Sequence, residues 1–458
     1  MTPSVIVIGA GISGLAAAYE LHRRGVTPIV LEASDRAGGL ILTEREGPFI
    51  LDAGPDSILA TKSGGTALCE ELGLAGRLIS TTPPRTSYVL RNGRLHPLPR
   101  PAVLGLPLTW RAAAGATMIS GVGRMRMALE PWMPARSIPD ESVASFIRRR
   151  FGAQASEYLA EPLLAGIHAG DIERLAIQPL FPGLVEAEAS HGSVMKGLRA
   201  RTSQSPARDA KNGLFLSLPG GMGELVQALE AALPRDTVKL RTRAVAVRKD
   251  DRQFQVQTQA GGLPCAAVII AAPAWAAQQM LEELDATLAA LCGGISYSSS
   301  AIVTLAFDRP AVGATLAGTG FVVPRAERLP IMAATWSSSK WSGRAPADGV
   351  LMRAFLGGAR DPGAVDRSDQ DLIEAALRAL TPIARLTGAP RFTRIHRWRR
   401  ASPQLEVGHH SRLAMIEQRL GAWPGLFLTG SGYRVTGIPD CIEDAREIAR
   451  RACATILP

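Results

Sequence analysis

The chain has 458 residues, 46% of them hydrophobic and only 5% aromatic, with 46 glycines, 32 prolines and a formal net charge of +10. That length exceeds one ordinary core and predicts two or three domains, and the globular composition excludes collagen and coiled-coil classes. The positive balance comes from arginines scattered among hydrophobic residues, with no recognition-helix or RNA-binding motif, which argues against nucleic acid and for an anionic substrate or an anionic membrane surface.

The first segment reads as a βαβ unit. Ser4-Val-Ile-Val-Ile8 is a short strand that runs directly into Gly9-Ala-Gly-Ile-Ser-Gly14, and residues 15–25 follow as a helix with Leu15, Ala18 and Leu21 on one face. A second strand over residues 28–31 ends at Glu32, 18 positions after Gly14. Gly9 permits the tight turn, Gly11 lets a pyrophosphate approach the backbone, and Gly14 lets helix and strand close together. The helix start offers N–H groups to the phosphates, and Glu32 can accept from a ribose hydroxyl. Arg36-Ala-Gly-Gly39 lies four residues after the acid and supplies a cation and a flexible backbone. In a nicotinamide-binding domain that segment would be ordinary loop, so the two motifs together point to FAD. Phe49-Ile-Leu-Asp-Ala-Gly54 then brings Asp52 and Gly54 back toward the cofactor. A strand is expected over residues 40–44 and a helix over 66–72.

The character changes at Thr81-Pro-Pro-Arg85. Strands over 88–90 and 94–96 are paired by an Asn92-Gly93 turn, whose residues tolerate positive φ. Between Arg85 and Leu129 stand seven arginines (85, 91, 94, 100, 111, 124 and 126) and no acidic residue. Leu104, Leu106, Leu108, Trp110, Met118, Ile119, Val122, Met125 and Met127 lie among them. This mixture suits an amphipathic region touching an anionic interface, and it equally suits a helical subdomain with its own core.

Helices are expected over 140–151, 155–164 and 184–198. Gly166-Ile-His-Ala-Gly-Asp171 reads as a glycine-bounded loop in which His168 has no paired acid and lines a pocket. The polar stretch 202–212 is a domain boundary. Beyond it come a strand at 214–218, a helix at 224–233, strands at 238–249, and a hairpin through Asp250-Asp251 into 254–258. A buried strand at 266–272 returns the chain to the parallel sheet. A second sheet draws on 298–307, 320–323, 331–334, 350–355 and 391–397, with a helix at 369–381. The end of the chain is a strand into Gly430, a glycine-rich connection, and a helix over 441–455 whose N-terminus can stabilise negative charge on a reduced flavin. The five cysteines (69, 265, 292, 441 and 453) show neither metal-ligand spacing nor a disulfide framework. With the first strand starting at Ser4 and no apolar run long enough to span a bilayer, a cytoplasmic location is expected.

Gly9-Ala-Gly-Ile-Ser-Gly14, Glu32 and Arg36-Ala-Gly-Gly39 are common to many flavin amine oxidases. Gly166-Ile-His-Ala-Gly-Asp171, Leu218-Pro-Gly-Gly-Met222 and Gly437-Ile-Pro-Asp-Cys441 are more specific. With these motifs the chain resembles, nearly end to end, the FAD-dependent protoporphyrinogen and coproporphyrinogen oxidases of the monoamine-oxidase-like group. The resemblance implies an α/β flavoprotein with a GxGxxG dinucleotide-binding domain built from separated segments (1–84, 206–295 and 409–458). It adds a mixed-sheet substrate domain (296–408) and an inserted helical, membrane-facing domain (85–205). It implies that Gly54, Val245, Gly430, Val435 and Ile438 join the glycine motif, Glu32, Arg36, Gly38 and Gly39 in contacting FAD. Arg85 would pair with a substrate propionate, with Thr86 in place of the family's aromatic residue. Gly166 and Gly170 would approach the oxidised methylene bridge by their backbone. No cysteine stands in Gly430-Ser-Gly-Tyr433, so the FAD is expected to be non-covalent. The expected reaction is oxygen-dependent oxidation of protoporphyrinogen IX to protoporphyrin IX by three hydride transfers to FAD, with release of hydrogen peroxide. Coproporphyrinogen III is the rival substrate and a flavin amine oxidase the more distant alternative. Placement at the inner face of the cell membrane is compatible with this resemblance, as are a homodimer and a transient contact with the next enzyme of heme synthesis.

Overall fold

A computed structural model describes residues 5–103, 105–204, 213–250 and 253–456. Ser4, Leu104, Asp251 at the hairpin tip and most of the 202–212 boundary lie outside the described residues. A five-stranded parallel sheet has the order Val238–Lys239, Pro28–Leu31, Val5–Ile8, Ala267–Ile270, Leu426–Leu428. Val5, Ile6 and Val7 are wholly buried, as a parallel strand covered on both faces requires. On one face, helix Ile12–Arg23 packs through Leu15 and Ala18 against Ile442, Ala445 and Ala449 of the C-terminal helix Ile438–Ile456. On the other, helices Ala274–Leu281 and Ala286–Gly293 share a core with Ile6, Ile8, Val268 and Ile270. The sheet therefore gathers strands from the start, middle and end of the chain.

The second sheet has seven strands in the order Phe392–Gln404, Ser296–Asp308, Gly349–Gly357, Ala333–Thr335, Gly320–Val322, Ser87–Arg91, Arg94–Pro97. Helix Asp369–Ala384 covers one face, burying Leu372, Ala376 and Leu380 against Val303, Leu305 and Met352. The hairpin at Asn92 (φ +50°) and Gly93 (φ +72°) forms as the sequence predicts. It stands in this sheet, however, through parallel pairing of Ser87–Val89 with residues 320–322. Residues 87–97, counted by the sequence reading with the helical insertion, are thus sheet edge, and the helical layer begins after them.

That layer comprises, among the described residues, helices Trp110–Ala114, Gly121–Ala128, Val143–Phe151, Glu161–His168, Pro182–His191 and Val194–Gln204. Thr109, Ser120 and Ser142 cap three of them by accepting a backbone N–H. Gly192, at φ +67°, splits the single helix expected over 184–198 into two. Arg150 and Glu130, both fully buried, pair at the centre, and Arg149 bridges Glu141 and Glu188. Gly166 is helical, contrary to the expected loop: Glu161–His168 continues through it, and the turn starts at Ala169 in the left-handed region, φ +51°.

Candidate functional site

The first glycine turn is shaped from within. A Cβ on Gly14 would sit 1.8 Å from the Gly9 carbonyl oxygen, and one on Gly9 (φ +101°) 2.9 Å from that of Ala271. Gly11 differs, because the nearest atom to its would-be Cβ is the Gly39 Cα at 4.0 Å. No side chain caps the first turn of helix Ile12–Arg23, which Gly11 opens, so its N–H groups face that space with the positive end of the helix dipole behind them. Glu32 reaches back to the turn, where its carboxylate accepts from the Ala10 N–H at 2.7 Å and from both Ser34 donors at 2.8 Å. An open backbone, an uncapped helix start and an acid at the end of the second strand fit a dinucleotide's pyrophosphate and ribose.

Arg36 holds its own loop, donating to the carbonyls of Ala37, Gly39 and Ile41 at 3.0, 2.5 and 3.1 Å. It shapes the turn at Gly38 (φ +100°) and Gly39 (φ +58°) rather than reaching outward as a free cation. From Gly39 the chain passes Leu40, whose carbonyl oxygen lies 2.0 Å from where a Gly54 Cβ would stand. Gly54 is therefore brought into the same wall. Gly430 lies 3.7 Å, by its would-be Cβ, from Ser13 Oγ at the start of the first helix. The Val435 carbonyl accepts from Gly432 N–H at 2.9 Å, and Ile438 opens the C-terminal helix. This helix starts three residues earlier than the expected 441, so the Gly437-Ile-Pro-Asp motif is itself the helix N-terminus. Val245 occupies a bulge between Ala244 and Ala246 with its side chain exposed, close in sequence to Thr242, whose N–H donates to the Glu32 carbonyl. Glu32, Gly11 and Gly39 thus stand together at the start of the first helix, with Gly430 beside Ser13 on that helix.

The seven-stranded sheet and the helical layer also meet. A Cβ on Gly166 would stand 3.4 and 3.5 Å from side-chain carbons of Val322 and Ala333. Ala165, Ala169 and Met332 form a small apolar cluster with Phe355, and Ile167 is 60% exposed beside it. Gly170 abuts Gln404 Oε1, 2.5 Å from its would-be Cβ, and Gln404 Nε2 donates to the His168 carbonyl at 3.0 Å. The His168 ring stands edge-on to Phe181, and burial pulls its pKa down to about 4, so it is neutral near pH 7. Arg85 Nε donates to Thr81 O at 2.9 Å, and its Nη2 lies 3.4 Å from Ser80 Oγ.

Sequence reasoning missed one group altogether. Asp56, at the far end of the Asp52–Asp56 wall, accepts from Lys340 Nζ at 2.8 and 2.9 Å, Arg353 Nη2 at 2.6 Å and Trp341 Nε1 at 3.2 Å. Burial works to raise its pKa, but Lys340 and Arg353 prevail and hold the carboxyl well below the usual range. Beside this group only Asp52, which pairs with Arg344, carried a signal, as part of the returning motif; the partners of Asp56 are nearly 300 residues away. Among the described residues no cluster of histidine, cysteine or acid suits a metal ion.

Residues 12–457 match the family model for flavin-containing amine oxidoreductases. The coproporphyrinogen III oxidase of Bacillus subtilis (strain 168) is 35% identical over 454 residues, covering 96% of both chains. Protoporphyrinogen oxidase 1 of Arabidopsis thaliana is 28% identical, covering 98% of this chain and 88% of its own. A solved structure provisionally described as a protoporphyrinogen oxidase, from Exiguobacterium sp. 255-15, superposes with a TM-score of 0.86 at 32% identity over 98% of both chains. Putrescine oxidase, at 16% identity and a TM-score of 0.71, shares the fold. The chain thus belongs to the flavin amine-oxidase-like family, as an FAD-dependent oxidase that converts a porphyrinogen to a porphyrin.

Proposed function

We propose that the substrate is coproporphyrinogen III, oxidised to coproporphyrin III, in reversal of the substrate order expected from the sequence. The observation that carries this is the pattern of relatives. Those named coproporphyrinogen III oxidase, from Bacillus subtilis, Staphylococcus aureus and Propionibacterium freudenreichii, are 29–35% identical over nearly the whole chain. Those named protoporphyrinogen oxidase, from plants, are 27–28% identical. The name borne by the Exiguobacterium structure favours the other substrate, and protoporphyrinogen IX is the second reading.

The bound FAD supplies a two-electron acceptor for a hydride from a methylene bridge. The chain's part is to place that bridge. The apolar group of Val322, Ala333, Met332 and Phe355 packs beneath the place proposed for the macrocycle, with Arg85 answering a propionate. Contrary to the expectation, the space at Gly170 is filled by Gln404 and Leu175 and leaves no backbone approach there. No strong base is required, since the oxidised carbon's neighbouring pyrrole N–H loses its proton readily; neutral His168 is not in that role. Loss of six hydrogens consumes three O2 and forms three H2O2 per macrocycle. Oxygen uptake, peroxide and product spectra measured with each porphyrinogen test the proposal. Coproporphyrin as the faster product at a 3:3:1 ratio supports it, and a clear preference for protoporphyrinogen IX overturns it.

The FAD is proposed to be non-covalent: Cys441, the cysteine nearest the terminal motif, is buried, and burial pushes its thiol up to about 12, which leaves it inert. We also propose a peripheral seat on the inner face of the cell membrane. Val122, Met125 and Leu129 share one exposed helix face beside Trp110 (62% exposed) and Trp132 (73% exposed), and Arg111 lies over the Trp110 ring. Exposed tryptophans with arginine suit an anionic headgroup layer. No described helix is long and apolar enough to cross a membrane.

A further inference from the structure

The wall from Asp52 to Asp56 is backed by five buried charges. Asp52, Asp56, Arg344 and Arg353 are at most 7% exposed, and the Lys340 side chain is 11% exposed. Arg344 pairs with Asp52 at 3.0 Å, and Lys340 and Arg353 pair with Asp56. Two carboxylates thus face two guanidinium groups and Lys340, whose pKa burial lowers while its pairing with Asp56 works to keep it charged. The excess of donors shows in the hydrogen bonds, for the Nε atoms of both Arg344 and Arg353 lack an acceptor.

The group ties the Asp52–Gly54 segment to strand Gly349–Gly357 of the seven-stranded sheet. Arg353 Nη1 donates to the carbonyls of Asp52 and Gly54 at 2.6 and 2.8 Å, and Trp398 Nε1 takes that of Ala53 at 2.7 Å. Two of these three carbonyls are thus held by the Arg353 cation and the third by a neutral indole. On its other side Arg353 lies 5.3 Å from the centre of the Phe355 ring, which belongs to the apolar cluster beside Gly166. Arg344 ties the same wall to the Leu218 and Pro219 carbonyls.

We propose that Lys340, Arg344 and Arg353 act as positioning residues that place an uncompensated positive charge behind the ring end of the FAD. There it favours the negative charge the flavin gains on reduction, and so favours hydride transfer from the porphyrinogen. A buried charge acts in low dielectric and is only weakly screened by salt, and it needs no contact with the ring. A purely structural clamp would hold the wall without setting the cofactor's electronics.

The test uses the holoenzyme and no porphyrinogen, so it is independent of which substrate is oxidised. Sulfite adds to oxidised flavin and leaves a negative charge on it, so its Kd reports the same field. Lys340→Met removes a cation and is expected to weaken sulfite binding about tenfold. That fold-change in a two-electron equilibrium corresponds to a potential about 30 mV lower. Asp56→Asn removes an anion and is expected to tighten sulfite binding and raise the potential. The double variant, Lys340→Met with Asp56→Asn, restores the charge balance and returns both readouts toward wild type. Arg344→Gln replaces Lys340→Met if that variant fails to hold FAD. Shifts of one sign in all variants, or unchanged potentials at full flavin content, overturn the proposal.

Discussion

Gly11 and Gly14 stand three residues apart in one motif, yet the structure gives them opposite roles. A methyl at Gly14 would meet the Gly9 carbonyl oxygen at 1.8 Å, and backbone would have to move. Overpacking of that kind costs about 1–3 kcal/mol, and a rigid backbone neighbour argues for the upper end. A methyl at Gly11 would meet nothing closer than 4.0 Å, and the backbone there (φ −68°, ψ 178°) suits any residue. Gly11→Ala therefore leaves apoprotein stability within about 0.5 kcal/mol. It occupies the space through which the pyrophosphate approaches the first helical N–H groups. Losing two such charge-assisted bonds, at about 1.5–3 kcal/mol each, weakens FAD binding at least a hundredfold. Apoprotein melting followed by FAD titration on flavin fluorescence separates the effects. Gly14→Ala melts low before any FAD is added, whereas Gly11→Ala melts normally and stays colourless. If Gly11→Ala bound FAD with wild-type affinity, or melted as low as Gly14→Ala, the role assigned to the open turn would be refuted.

Arg85→Ala is expected to raise KM about tenfold or more at unchanged flavin content, the loss of one charge-assisted carboxylate contact; an unchanged KM removes Arg85 from the pocket. Replacing Trp110 and Trp132 together by serine should lower binding to phosphatidylglycerol vesicles at least tenfold in a flotation assay, without changing turnover on detergent-dispersed substrate. Equal flotation of the variant would remove this patch as the docking face. For His168 the folded pKa of about 4 lies below the unfolded value near 6.5. The unfolded chain alone takes up that proton between the two values, so stability falls as pH drops through this window and is full above it. His168→Phe should flatten that acid loss in denaturant titrations at pH 7 and pH 5, and an undiminished slope would show that the loss arises elsewhere.

The βαβ unit was legible because its chemistry is local: strand, turn, helix and acid lie within the first 32 residues. The Asn92-Gly93 hairpin was legible for the same reason, but its partner was not. Tyr88 pairs with Phe321, over 200 positions away, and no local pattern encodes that choice. Glycine misled at Gly166, where the preceding Glu161-Pro-Leu-Leu-Ala run sustains the helix through it and Ala169 takes the left-handed turn instead. In the arginine-rich stretch the reading of a helical subdomain with its own core holds in part. Leu106, Leu108, Met118, Ile119 and Met127 are core, while Trp110, Val122 and Met125 face solvent, a division set by tertiary packing. The charges around Asp56 left no pattern in the sequence, since lysine and arginine at 340, 344 and 353 read as ordinary surface residues until the fold buries them.

The substrate assignment is tested most directly by mixing the oxidised holoenzyme, without oxygen, with each porphyrinogen in turn in a stopped-flow instrument, following loss of flavin absorbance. Faster reduction with tighter apparent binding by coproporphyrinogen III is the expected result. Equal or faster reduction by protoporphyrinogen IX would contradict it.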